Sequence, residues 1–152
     1  MTINNAAREA ARQSNGEFGT QEHALPTRSL DAEKDWGHVE ISEGPRTPWG
    51  GVQHYSPIAP GIVQVGTAGH GGIKLSDERN KEIPTALRNR NGWYEEDCEA
   101  SIVTMTYAEE FSAERRTWSH LPADHVDPYA DPEFMKADSE RVVKDYFPDP
   151  VS

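Results

Sequence analysis

The chain has 152 residues and a formal net charge of -11, with 26 acidic and 15 basic side chains. This charge argues against direct binding to DNA or RNA phosphates and to anionic membrane surfaces, since both attract clustered Lys and Arg, and it permits basic protein partners. No apolar run is long enough to cross a membrane, the N-terminus lacks a hydrophobic signal core, and the single cysteine cannot form an internal disulfide. The sequence therefore predicts a soluble protein of the cytoplasm, which is the host cell cytoplasm if the gene is carried by a phage.

Residues 1–46 have the composition of a polar, flexible N-terminal tail. They contain too few large apolar side chains to bury a helix, and Pro26 and Pro45 interrupt the segment. The aromatic residues of this tail are Phe18 and Trp36. Each could dock on a partner, but docking on the chain's own core is the more ordinary expectation. The sequence thus predicts a poorly ordered tail over 1–46 and a single α+β domain over 47–152.

Three short strands are predicted at the start of the domain, over 52–55, 62–67 and 73–75. Their β-branched residues and alternating pattern are typical of strands, and the prolines and glycines between them supply turns. The expected product is a small antiparallel β-sheet, formed within residues 48–75 and covered by helices from the remainder of the domain.

Two short helical pieces are predicted between residues 77 and 88. Ser76 is a good N-cap for the first piece, and Pro84 breaks the segment. Residues 89–92 are predicted to form a turn.

A further helix is predicted from Trp93 onward. Tyr94, Cys98, Ile102 and Met105 recur at three- and four-residue spacing, which is typical of one helical face. Residues 102–107 also alternate in a way that fits a strand, so the pattern leaves the end of this element open.

A loop is predicted from Ser119 to Pro132, and a final helix follows it as far as Tyr146. Asp131 is placed to cap this helix and Pro132 to occupy its first position. The apolar contacts predicted for the final helix are Phe134, Met135, Val142 and Tyr146.

Four segments of the chain resemble a known family when they are taken together. They are "TPWG" at 47–50, "APGI" at 59–62, "AGHGGIKLS" at 68–76 and "GWYEEDC" at 92–98. In order and spacing they resemble a bacterial domain of unknown function of the DUF7007 type, over roughly residues 47–149. The resemblance implies a setting on plasmids, prophages and other mobile elements, and it implies no particular reaction.

The candidate catalytic residues are His70, Cys98 and Asp97. His70 lies in a glycine-rich turn, where it fits a general base or metal ligand, or a turn histidine bonded to the backbone. Cys98 is placed to form a thiolate–imidazole pair with His70, oriented by Asp97, or to be a buried structural cysteine on the helical face of Tyr94. The His and Cys spacings predict no metal site, and no glycine loop matches a phosphate-binding pattern, so no cofactor is predicted.

Acidity concentrates in the last third of the chain, where residues 101–152 carry eleven acidic and five basic side chains. A solubilising surface explains this pattern, and so does a surface that binds a basic partner. The residues predicted to contact a partner are Asp124, Asp127, Asp131, Glu133, Trp93, Glu95 and Glu96.

The leading hypothesis is a non-enzymatic accessory protein of a phage or plasmid that binds and inhibits a host protein. In its sharpest form it is a counter-defence inhibitor, directed against restriction or CRISPR effectors, which occupies a nucleic-acid-binding surface. The alternatives are a small hydrolase or transferase using His70 with Cys98 or a carboxylate, and a generic protein-interaction domain.

Overall fold

A four-stranded antiparallel sheet forms the centre of the domain. The structure is a computed structural model, and it describes residues 34–41, 44, 46–118 and 120–148. The strands are β1 (Arg46–Thr47), β2 (Gly50–Gly51), β3 (His54–Ala59), β4 (Ile62–Gly66), β5 (Gly71–Leu75) and β6 (Trp93–Glu95). The first two pair with each other as a small separate sheet, and the other four form the central sheet in the order β3-β4-β5-β6.

Four helices complete the described part of the chain. They are α1 (Asp77–Glu82), α2 (Ala100–Thr106), α3 (Ala108–Arg115) and α4 (Pro132–Tyr146), with single 3-10 turns at Thr85–Leu87 and Pro128–Ala130. None of the helices in the described ranges is long and apolar enough to cross a membrane. The predicted α+β class, with a small antiparallel sheet and helices packed on it, is confirmed.

The hydrophobic core lies between one face of the sheet and the helices. Tyr94, Ile62 and Leu75 are fully buried on the sheet side, and α2 packs along α4 on the helical side. The remaining core side chains are Ile73, Ile83, Ile102, Val103, Tyr107, Ala108, Phe111, Met135 and Val143. This packing fixes the position of α3 and α4 relative to the sheet edge, which matters for the site described below.

A segment that precedes the first strand also packs on this domain. The compact unit begins at Asp35, and the guanidinium carbon of Arg79 lies 3.7 Å from the ring centroid of Trp36. The Trp36 ring meets the ring of Tyr107 edge-on at 6.2 Å. The expectation that Trp36 docks on the chain's own core is confirmed, whereas Phe18 and most of the predicted tail lie outside the described residues.

Local signals at helix ends predicted the structure well. The Ser76 hydroxyl accepts a hydrogen bond from the Arg79 amide at 3.2 Å, and the helix begun there ends at Glu82, just before Pro84. Asp131 caps α4 by accepting a bond from the Glu133 amide at 3.0 Å, with Pro132 in the first turn. These contacts satisfy amide groups that a helix leaves unpaired at its N-terminus.

The predicted helix from Trp93 is wrong, because residues 93–95 form strand β6. Tyr94 pairs with Ile73 across the sheet and is fully buried. Its hydroxyl donates to the Asn80 side chain at 2.6 Å, so the strand is fixed by both packing and hydrogen bonding. The helix starts only at Ala100 after a turn, and Cys98 therefore does not share a helical face with Tyr94.

Two smaller expectations are also corrected. The first central strand runs over 54–59 and not 52–55, since Val52 is buried outside any strand and Pro57 is accommodated on the edge strand. On α4 the predicted contacts Phe134 and Tyr146 are 43% and 65% exposed, whereas Val143 is buried. The helical register that seats Met135 in the core also brings Val143 inward, because the two positions are eight residues apart.

Candidate functional site

His70 closes an exposed turn between β4 and β5. The Thr67 amide and hydroxyl donate to its carbonyl oxygen at 2.8 and 2.7 Å, and its own amide donates to the Thr67 hydroxyl oxygen at 3.2 Å. Its side chain is 56% exposed and lies 3.5 Å from a carboxylate oxygen of Glu95. The backbone of His70 is thus held firmly, while the imidazole remains in contact with solvent.

The glycines after His70 serve internal packing. A Cβ on Gly72 would lie 2.2 Å from the Trp49 ring, and one on Gly71 would lie 2.5 Å from a carboxylate oxygen of Glu96. Neither glycine takes a positive φ angle. Gly72 therefore excludes a side chain, because the Trp49 ring and the Tyr94 carbonyl lie directly against it, whereas a side chain at Gly71 would first displace the Glu96 carboxylate.

The three candidate catalytic residues do not form a connected group. Asp97 and Cys98 lie in the turn between β6 and α2, where Cys98 is half-buried and Asp97 exposed. Within the described ranges, no hydrogen bond or ion pair joins either residue to His70. The same ranges hold no group of three His, Cys, Asp or Glu side chains arranged for a metal ion.

The predicted partner-binding carboxylates divide into two kinds. Asp127 is 8% exposed and forms an ion pair with Arg115 at 2.6 Å, and Asp131 caps α4. Asp124 and Glu133 are exposed to solvent. Only the second kind is available to a partner without disturbing the fold.

The other predicted contacts fall on different faces of the sheet. Trp93 and Glu95 alternate with the buried Tyr94 and so face away from the helices. There the Trp93 ring meets the Trp49 ring edge-on at 5.7 Å. Glu96, in contrast, reaches a cleft on the helical side.

This cleft, of about 360 Å³, opens between the sheet edge and the helices. Its lining combines apolar side chains with three carboxylates, one guanidinium, two exposed aromatic rings and the polar side chains of Gln64, Ser101, Thr104 and Ser139. We call it the acidic–aromatic cleft and define it by Ile73, Phe111, Met135, Glu96, Glu114, Asp138, Arg115, Trp118 and Tyr129.

Arg115 organises the mouth of the cleft. Its guanidinium carbon lies 4.3 Å from the Trp118 ring centroid and 5.3 Å from that of Tyr129, distances typical of cation–π contacts. Its Nε donates to Asp127 at 2.6 Å, and the hydrogen bond to Arg115 holds the pKa of Asp127 below its ordinary value. The indole N–H of Trp118 donates to Glu114 at 2.9 Å, so this ring is held at two points.

Tyr129 is held in the same way on the opposite wall. Its hydroxyl donates to Asp138 at 3.0 Å, and this bond raises the pKa of Tyr129. Asp138 also accepts a hydrogen bond from Arg141 at 2.7 Å. The bond from Arg141 and, to a smaller extent, the bond from Tyr129 lower the pKa of the Asp138 carboxyl. The ring of Phe134 meets Tyr129 edge-on at 5.2 Å.

The result is a set of aromatic rings that are exposed yet fixed. Trp118 and Tyr129 are each 36% exposed and Phe134 is 43% exposed. Sequence reasoning selected none of these as binding residues, because Trp118 and Tyr129 are adjacent only through the return of the chain from α3 to α4. The available signal was the concentration of aromatic and proline residues within an acidic loop.

A larger groove of about 850 Å³ lies on the other side of the sheet. It runs between residues 38–41 and the edge strand β3, and its lining is dominated by aliphatic and proline side chains, with Glu40 as its carboxylate. Its polar side chains are His38, Glu40 and Tyr55, and none of them is held by a side-chain hydrogen bond or ion pair within the described ranges, unlike the groups that line the acidic–aromatic cleft. For this reason the smaller cleft is the stronger candidate.

Comparison with curated proteins and with solved structures found no match. A family model does match the chain, over residues 42–150, and is described as a domain of unknown function, DUF7007. The match covers most of the chain and includes both the central sheet and the acidic–aromatic cleft. The chain therefore belongs to the DUF7007 family.

Proposed function

We propose that this domain acts by binding another protein, and that the acidic–aromatic cleft and its rim are the contact surface. Trp, Tyr and Arg are the residues that most often supply the binding energy of a protein interface. The cleft presents Trp118, Tyr129 and Arg115 together, and Phe134 extends the same surface.

Pre-organisation of these rings is the observation that carries the proposal. Each is fixed by a hydrogen bond or ring contact while more than a third of it stays exposed. A fixed side chain loses little conformational entropy on binding, so its contact area contributes more fully to affinity.

The charge of the domain selects the kind of partner. Asp124 and Glu133 are exposed, and the whole chain carries a charge of -11. An acidic surface attracts a basic one, accelerates encounter with it and rejects acidic competitors. The partner is therefore a protein with a basic surface.

In its sharper form, the proposal is that this domain inhibits a host protein whose basic surface ordinarily holds nucleic acid. Counter-defence against a restriction or CRISPR effector fits this form, with a phage or plasmid as the source of the gene. What supports it is the combination of an acidic charge and a rigid contact surface, which together suit competition with a polyanion.

The test is capture of partners by the tagged full chain from host lysate, at low and at moderate salt. Trp118→Ala combined with Phe134→Ala removes two rim aromatics, and Tyr146→Ala is the matched control because that ring is 65% exposed on the far end of α4. The proposal predicts a basic partner captured by wild type and by the control, and lost from the double variant. Circular dichroism of each variant checks that the fold is kept.

Two outcomes would contradict the proposal. Equal capture by wild type and the double variant would show that the cleft is not the contact surface. Capture that survives moderate salt without loss would show that acidity does not drive binding, since exposed charges are screened over about 8–10 Å at such ionic strength.

A further inference from the structure

We propose that the acidic–aromatic cleft receives a single lysine or arginine side chain from the partner. This inference rests on the proposed function and specifies how the contact is made. The occupant is a basic segment of the partner protein, anchored by one long cationic side chain.

The floor of the cleft suits the aliphatic stem of such a side chain. Phe111 and Met135 are buried there beside Ile73, and all three present apolar atoms to the cleft. Lys and Arg bury their methylene stems against apolar surfaces while the charged end reaches polar groups. A volume of about 360 Å³ lies at the small end of protein ligand sites and is suited to one side chain.

The carboxylates on the walls have unused hydrogen-bonding capacity. Within the described ranges no side-chain hydrogen bond or ion pair is made by the carboxylate of Glu96, and Glu114 uses one oxygen to accept from Trp118. Asp138 is already engaged with Arg141 and Tyr129. Glu96 and Glu114 are therefore the two acceptors that remain for an incoming cation.

The positive charge of Arg115 is already balanced by a carboxylate of the same chain. Arg115 is the only cation among the residues that define the cleft, and it is paired with Asp127, which lies outside that set. The cleft thus keeps an excess of negative charge, although one guanidinium is present. Charge complementarity selects a cation as the occupant.

The contacts of Arg115 are an example, at this site, of a guanidinium bound by aromatic rings and a carboxylate together. Its guanidinium lies against the Trp118 and Tyr129 rings and bonds to a carboxylate at the same time. An incoming Arg or Lys meets the carboxylates of Glu96 and Glu114, while Arg115 already lies against both rings.

The probe is a synthetic hexapeptide of alternating alanine and arginine, titrated into the isotope-labelled full chain and followed by NMR. A peptide with citrulline in place of arginine keeps the shape and removes the charge. The proposal predicts that the arginine peptide shifts the Trp118 indole N–H and the Glu96 amide, and that the citrulline peptide leaves both unchanged. Trp118→Phe assigns the indole signal.

Two matched pairs of variants distinguish an effect of the carboxylates in the cleft from an effect of the net negative charge of the chain. Glu96→Gln with Glu114→Gln removes two charges inside the cleft, and Glu109→Gln with Glu140→Gln removes two exposed charges outside it. Since these two carboxylates are the acceptors that an incoming cation would use, the first pair should weaken peptide binding at least about tenfold. The second pair should change it by no more than about twofold.

Each contrary result overturns the inference. Equal weakening by the two pairs means that the peptide reads total charge, and absence of shifts in the cleft means that no cation enters it. If partner capture is lost with Trp118→Ala and Phe134→Ala but kept with Glu96→Gln and Glu114→Gln, the proposed function stands and the cation pocket fails. If both pairs leave capture intact, the proposed function fails as well.

Discussion

Replacement of Arg79 by methionine tests the interaction that joins the N-terminal segment to the domain. Arg79 is buried, and its Nε donates to the Pro60 carbonyl at 2.9 Å while one Nη donates to Glu110 at 2.7 Å. Its guanidinium also packs against the rings of Trp36 and Tyr107. Methionine keeps an unbranched apolar body and removes the charge, the hydrogen bonds and the cation–π contacts.

The expected cost is about 3 kcal/mol of the free energy of unfolding. Removing one partner of a buried ion pair costs about 3–5 kcal/mol, because the other charge is left without compensation. The lower end applies here, since the Glu110 side chain is 28% exposed and water partly solvates its carboxylate. For a chain of this size such a loss lowers the melting temperature by roughly 6–12 °C.

Urea denaturation followed by far-ultraviolet circular dichroism measures the change. Arg141→Met is the matched control, because that side chain is 65% exposed and ion pairs at the surface contribute little to stability. A double-mutant cycle with Glu110→Gln isolates the ion pair from the ring contacts. The reasoning is refuted if Arg79→Met costs less than about 1 kcal/mol, or no more than Arg141→Met.

Three further predictions follow from single contacts. Gly72→Ala should lower the melting temperature, because the new Cβ would lie 2.2 Å from the Trp49 ring and 2.5 Å from a backbone oxygen, and an unchanged melting curve would contradict this packing. Asp127→Asn should destabilise the protein at neutral pH, because the folded-state pKa of Asp127 is lowered by Arg115. This contribution to stability is present above the unfolded-state pKa of about 3.9 and is lost as pH falls through the lower folded-state pKa. The melting temperatures of variant and wild type should therefore converge in acid. A difference that stays constant with pH would refute this prediction. His70→Ala should change stability by no more than about 0.5 kcal/mol, since the imidazole is 56% exposed, and a larger loss in thermal unfolding would show an unrecognised packing role.

Local chemistry made the helix ends predictable from the sequence. Ser76 and Asp131 are side chains that cap helices in many proteins, and Pro84 removes an amide that a continuing helix needs. Each effect acts over three or four residues, so the sequence contains all the information required. The α+β class followed from the same short-range signals.

Strand β6 was not predictable because its cause is remote in sequence. Residues 93–100 have helical spacing, yet Tyr94 pairs with Ile73 and its hydroxyl reaches Asn80. The open edge of β5 accepts a strand, and burial of a tyrosine there outweighs a helical pattern over a few residues. Tertiary context overrode local preference.

The candidate site escaped prediction for a similar reason. Glu96 follows the sheet, Trp118 follows α3, and Tyr129 and Asp138 come from the return to α4. Spacing along the chain gives no sign that they line one cleft. Their acidity and aromatic character were visible separately, but only the packing of α2 and α4 brings them together.

The structure also changes how acidity in this chain must be tested. Charge reversal at Asp127 would break a nearly buried ion pair. Charge reversal at Asp131 would remove a helix cap. In either variant, a loss of partner binding could result from unfolding and would not by itself demonstrate a role in recognition. Asp124 and Glu133 are exposed and make no side-chain ion pair within the described ranges, so their reversal breaks no ion pair. At Glu133, in the first turn of α4, reversal also opposes the helix dipole, which the unfolding curve reports. If reversing these two weakens partner capture and leaves the unfolding curve unchanged, acidity acts in recognition. If capture persists, Asp124 and Glu133 take no part in recognition, and any contribution of charge comes from the carboxylates inside the cleft.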